Sequence, residues 1–302
     1  MSARLPISLT VSGVKRLFGD DLSQLIDFAK RAEDAGVDQI AMTDHLVIGP
    51  RTDRYPFGKF PFPNDEPWPE PIVTLAAMAG ATRRIRLATA VLIAPLRSAP
   101  LLAKSLATLD ALSGGRVDLG VGIGWQPEEF AAAGIPFESR AARMDDVLRA
   151  CRSLWCDAPA SFHSQTVSFD DLWCIPRPVQ VDGLPIWFGV APTPRNVARI
   201  VELGAGWVPV GSDIEALASG VRVLHEAFAA AGRDPAMLGV RANLPVALGA
   251  DGRGDLDRSV AEGMPPLREA GATIAALPIA AYVRRREDLV PFLTRVSNRQ
   301  GS

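Results

Sequence analysis

At the end of one short apolar run, in MTDHLVIG, stand two residues able to hold and move a proton, Asp44 and His45. A carboxylate beside an imidazole can orient a ring and pass a proton, and histidine is the common side chain whose ordinary pKa lies near neutrality. A capping aspartate and a packed histidine are the plainer reading of the same pair. Further along, VDLGVGIGWQPEEF sets Gly120, Gly122 and Gly124 at alternate positions, and therefore on one face of a strand. Glycines there would let a flat ring system approach the main chain, although close packing accounts for them equally. Trp125, Glu128 and Glu129 follow, the two acids also suiting the first turn of any helix. In GVAPTPRNVARIVELGAGW, Thr193 and Pro194 open a helix whose free N–H groups suit an anionic tail, with Arg195 adding charge. A capped helix without a ligand has the same sequence.

The elements that must position these residues alternate from one end of the chain to the other. Short β-branched runs at 7–11, 37–42, 85–92, 117–121, 185–189, 207–210, 240–248 and 273–278 read as strands. Between and after them lie amphipathic segments at about 21–35, 71–82, 99–112, 139–155, 194–203, 214–231, 256–270 and 287–297. Eight even βα repeats favour closure into a single (β/α)₈ TIM barrel over an open doubly wound sheet, and no G-x-G-x-x-G follows the first strand. One domain over 1–302 is expected, with insertions at about 46–70, after strand two, and 157–184, after helix four. In a barrel the first insertion leaves from the carboxyl face, where enzymes of this fold keep their chemistry. Its Tyr55, Phe57, Phe60, Phe62 and Trp68 among prolines suit either a stiff apolar lid or an ordered surface loop.

Bulk properties remove several function classes. Of 302 residues, 48% are hydrophobic and 22% charged, which is ordinary for a chain with a sizeable core. A net charge of −2 provides no broad positive field, so nucleic acid and anionic membrane are not expected partners and a small molecule is. The start MSARLPISLTV lacks the apolar run of a signal peptide, and no stretch is long enough to span a membrane, so a cytoplasmic location is expected. Cys151, Cys156 and Cys174 have no metal-ligand spacing and only three histidines could assist them, so no metal site is expected.

Taken in order, several landmarks resemble one group: TDH at Thr43 to His45, ATAVLIAP at Ala88 to Pro95, LDALSGGRVDLGVGIGW at Leu109 to Trp125 with EEF after it, PIW at Pro185 to Trp187, and GAGW at Gly204 to Trp207. The chain resembles the bacterial-luciferase-like flavin and deazaflavin oxidoreductases, in the branch dependent on coenzyme F420, over nearly its whole length. That resemblance implies that Asp44 contacts the cofactor ring region and His45 donates or shuttles a proton. It also implies a non-prolyl cis peptide between Ala90 and Val91 backing the ring, with further cofactor contacts at Gly122, Ile123, Gly124 and Trp125. The segment Gly189, Val190, Ala191 and Thr193 corresponds to the loop holding the phosphate or ribityl portion. Trp125 stands where a sugar-phosphate dehydrogenase of this family carries a glutamate, and the basic residues for a sugar phosphate have no clear counterparts. The implied reaction is hydride transfer between F420 and a small, largely apolar organic molecule. An FMN-dependent monooxygenase and a non-catalytic flavin-binding barrel are the alternatives, and a homodimer through barrel helices is expected by analogy.

Overall fold

The computed structural model describes residues 4–298. The chain starts with β1 (Ile7–Val11), a short α1 (Val14–Phe18), α2 (Gln24–Asp34) and β2 (Gln39–Met42). A loop whose regular structure is one 3₁₀ turn, Thr52–Arg54, leads to α3 (Pro71–Ala81), β3 (Arg86–Thr89), β4 (Leu92–Ile93) and α4 (Ala99–Ser113). Next come β5 (Val117–Gly122), α5 (Pro127–Ala132) and α6 (Arg140–Cys156), then an antiparallel hairpin of β6 (Ala160–His163) and β7 (Ser168–Leu172). The repeat resumes with β8 (Ile186–Phe188), α7 (Pro194–Leu203), β9 (Gly204–Trp207), α8 (Ile214–Ala230) and β10 (Gly239–Asn243). It ends with α9 (Leu256–Glu269), β11 (Ile274–Pro278), α10 (Ile279–Tyr282) and α11 (Leu289–Asn298).

Pairing closes the cylinder. β1 pairs with β2 and β11, the order runs on through β10, β9 and β8 to β5, and β5 pairs with both β3 and β4, all in parallel. With β3 and β4 counted as one interrupted strand, this is the eight-stranded parallel barrel with flanking helices that the βα rhythm predicts. Residues 1–3 and 299–302 of the expected domain lie outside the described residues.

Side chains alternate between the helices and the barrel interior, and the interior half of each strand explains the sequence. Gln39 on β2 donates to Asp118 on β5 at 2.7 Å, reaching past β3. Arg241 on β10 donates to Ser8 at 3.0 Å and Thr10 at 2.7 Å on β1, reaching past β11. These bonds run across the inside, and Ser8, Gln39, Asp118 and Arg241 are all buried. Burial presses the Arg241 guanidinium down to about 10, against the pull of Asp118. The Trp187 indole fills the neighbouring space, where a Cβ on Gly206 or Gly239 would sit 2.2 Å from its ring. The lower half of the cylinder is therefore a packed polar and aromatic plug. Outward-facing Leu9, Ile40, Leu87, Leu119 and Leu277 are fully buried in the main core.

Several element boundaries differ from the sequence expectation. The third strand is not continuous over 85–92 but breaks at Ala90 and Val91. The sixth barrel strand is Gly204–Trp207 rather than 207–210, and the seventh stops at Asn243. The 157–184 connection folds its own hairpin. Among the described residues no helix is long and apolar enough to cross a membrane, and no group of three or more His, Cys, Asp or Glu is placed to hold a metal.

Candidate active site

At the carboxyl ends of the barrel strands a cavity of about 520 Å³ opens. Asp44, His45, Ala90, Val91, Gly122, Ile123, Gly124, Trp125 and Gly189, nine of the predicted site residues, line it together. The peptide between Ala90 and Val91 is cis, as the resemblance implies. Ala90 donates its N–H to Met42 O at 2.8 Å, and both Ala90 and Val91 remain half-buried at the cavity floor.

The glycines act through Val91. A Cβ on Gly122 or on Gly189 would come within 2.6 Å of a Val91 methyl, so their absent side chains seat the valine rather than leave bare main chain for a ring. Gly120 packs tighter still, its would-be Cβ 2.0 Å from Thr89 O. Gly124, at φ +75°, turns the chain between Phe130 and Ile93. The flat seat expected from the alternating glycines is thus a valine held on glycines.

His45 is held from both sides. Its Nδ1 lies 3.1 Å from Glu129 Oε2, the imidazole being 8% exposed and the Glu129 side chain 0%. The other Glu129 oxygen accepts Leu46 N–H at 2.6 Å. Around the ring stand Trp68, Trp125 and Phe60, edge-on with centroids 4.7, 5.8 and 6.1 Å away. Tyr55 closes the group, 5.2 Å from Trp125 and 5.2 Å from Phe60. The proline-rich insertion is therefore the apolar wall of the cavity. Its ends are tied down: Gly49 N–H donates to Gln126 Oε1 at 2.7 Å, and Glu70 accepts from Arg97 at 2.9 Å.

Asp44 lines the cavity with fixed partners of its own. Its carboxylate is fully buried and accepts from Ile93 N–H at 2.8 Å and from two Arg97 nitrogens at 2.7 and 3.0 Å. Such a carboxylate fixes strand ends. In Arg97, burial opposes the charge, but the bonds to Asp44 and Glu70 win and raise the guanidinium pKa.

The predicted phosphate segment is split. Gly189 lines the main cavity, whereas Ala191 lines a neighbouring one of about 220 Å³ with Trp207 and Asn243. Val190 is buried and its carbonyl accepts Trp207 Nε1–H at 2.8 Å. Thr193 is exposed and caps α7, and Arg195 stands 3.6 Å from Asp145, which partly matches its charge. Sequence reasoning passed over Glu129 as a helix-start acid and did not single out Arg140. Half-buried Arg140 lines the main cavity, bonds Gly124 O at 3.3 Å and Phe137 O at 2.9 Å, and lies over the Phe137 ring, 3.7 Å from its centroid. Burial lowers its pKa.

A closed parallel barrel with this cavity at its carboxyl rim agrees with the comparisons. The luciferase-like monooxygenase family model matches residues 5–264, and the chain belongs to that family. An uncharacterized Mycobacterium tuberculosis protein is 40% identical over 166 residues, 55% of this chain and 58% of its own length, so the match spans little more than half of that relative. An F420-dependent glucose-6-phosphate dehydrogenase of Kineococcus radiotolerans is 31% identical over 161 residues, 52% of this chain and 44% of that one. The crystal structure of monooxygenase RslO1 from Streptomyces bottropensis superposes with a TM-score of 0.77 at 23% identity, covering 97% of this chain and 98% of that chain.

Proposed function

We propose that this protein is a cytoplasmic oxidoreductase that moves a hydride between coenzyme F420 and a small, largely apolar organic molecule. The observation that carries the reading is the His45–Glu129 pair, buried in the wall of an aromatic cavity whose floor is Ala90 and Val91. The residues fit a planar, anionic cofactor: Val91 and Ile123 offer an apolar surface for a ring, and Arg140 offers a cavity-lining guanidinium for a negatively charged group. Resemblance to an F420-dependent dehydrogenase supports the choice of deazaflavin.

When bound, F420 supplies two-electron hydride chemistry. The chain does the rest. Val91 and Ile123 would support the ring, and Phe60, Trp68 and Trp125 exclude water and select apolar substrates. His45 holds or releases the proton that accompanies hydride movement at a carbonyl or alcohol oxygen. The aromatic wall and the tryptophan at position 125 favour an uncharged substrate over a sugar phosphate.

FMN-dependent monooxygenation is the second reading, favoured by the family's name and by the likeness to a monooxygenase over 97% of the chain. Titrating the purified protein with reduced F420 and with FMN, then following the cofactor spectrum on adding cyclic enones, ketones or alcohols, separates the readings. Submicromolar F420 binding with substrate-dependent spectral change is the expected result. Tight FMN binding with oxygen uptake would replace F420 by the second reading, and binding without any turnover would leave a flavin-binding barrel. A homodimer is also proposed, since Val73 on α3 and Leu101 and Leu112 on α4 stand exposed on neighbouring helices; sedimentation velocity checks it.

A further inference from the structure

Glu129 stands behind the cavity wall with its side chain 0% exposed. Burying a carboxylate away from water is costly unless both oxygens find donors. One finds the main-chain N–H of Leu46 at 2.6 Å, and the other finds Nδ1 of His45 at 3.1 Å. Both donors belong to one dipeptide, so a single carboxylate grips the histidine by its ring and by the peptide that follows it. An ionised carboxylate only accepts, so the ring nitrogen facing it must carry the hydrogen. This leaves Nε2 as the ring nitrogen available to the cavity that His45 lines.

We propose that Glu129 is a positioning residue: it holds His45 in the Nδ1–H tautomer and aims Nε2 at the substrate. The inference rests on the reading of His45 as the residue that moves a proton, and it goes beyond it by assigning the tautomer and its cause. Other charged groups bear on the imidazole without replacing this one. Asp44 precedes it but is bound by Arg97, two residues before α4. Arg54 in the loop lies 3.8 Å from Glu128 of α5, and Tyr55 and Arg140 line the same cavity.

The test is an NMR titration of the histidine ring resonances in the full chain without cofactor, with His45→Asn to assign the signal among three histidines. In the wild type at pH 9, ¹⁵N shifts are expected to report Nδ1 protonated and Nε2 free. Finding Nε2–H instead overturns the proposal, and this readout needs no variant of Glu129. In Glu129→Gln the single amide oxygen is needed by Leu46 N–H, which turns the amide NH2 toward the ring, so Nε2–H should become the major tautomer. Glu129→Asp, which keeps two acceptor oxygens on a shorter arm, should recover part of the Nδ1–H form. An unchanged tautomer in a folded Glu129→Gln protein also overturns the proposal. A second arm reads turnover. If kcat falls with the tautomer change in Glu129→Gln and recovers in part in Glu129→Asp, both inferences hold. If the tautomer changes while kcat stays fixed, Glu129 still positions His45 and the proton-moving role of His45 is what fails.

Discussion

Asp44 and His45 are neighbours in sequence and opposites in structure. Asp44 accepts three N–H bonds in a buried pair with Arg97, while His45 keeps one ring nitrogen for the cavity. Removing one member of a buried pair leaves the other uncompensated, so Asp44→Asn is expected to lower stability by about 3 kcal/mol, measured by urea unfolding. His45→Asn should instead leave stability within about 1 kcal/mol while cutting turnover about 100-fold or more, the range of a lost general acid or base. The TDH triplet made both residues visible as candidates. It could not separate them, because Arg97 lies 53 positions away and only the folded chain brings it to Asp44. Glu129 was hidden for a related reason. An acid in the first turn of a helix already has a local explanation, and its contact with His45 crosses 84 residues.

The end of β5 and the break between β3 and β4 work as one device. Because a Cβ at position 122 would sit 2.6 Å from a Val91 methyl, Gly122→Ala forces the valine up into the cavity. Cofactor affinity should drop at least about tenfold by fluorescence titration, a loss of roughly 1.4 kcal/mol, with the far-UV circular dichroism unchanged. Pairing it with Val91→Ala should restore most of the binding, an outcome that simple misfolding would not produce. On the opposite rim, Glu33 ties α2 to the entry of β3 by accepting N–H bonds from Arg83, Arg84 and Ile85. Burial works against its charge, but those three bonds hold its pKa below the usual 4.5. A depressed carboxyl contributes stability above its unfolded pKa and loses it as pH falls through the folded one. Glu33→Gln should therefore be less stable than wild type at pH 7, with the gap closing below pH 4.5 in parallel thermal melts.

At this scale the sequence was partly readable. Alternation and punctuation located all eight βα units, because period two and period 3.6 are local properties. GAGW was displaced because three small residues lack the β-branched signature, yet Gly206 belongs in β9 since it accommodates Trp187. The β6–β7 hairpin was missed because its strands have mostly exposed or half-buried side chains and give no core-facing alternation.

For the molecule as a whole, burial sorts the three thiols. Cys151 and Cys174 are buried and Cys156 is exposed, and burial pushes the Cys151 thiol far up. Native protein should react quickly with one equivalent of an aromatic disulfide reagent, and denatured protein with three; more than one fast thiol would mean that the packing around Cys151 or Cys174 opens readily. The polar and aromatic plug made by Arg241, Gln39, Asp118 and Trp187 has a kinetic corollary. With the cylinder stopped from below, whatever rests on Val91 must enter through the aromatic end and lies beneath whatever comes second. Steady-state data should accordingly obey a compulsory sequence, the redox carrier first on and last off. Its spent form would compete only with fresh carrier, and crowding the solution with substrate would trap it.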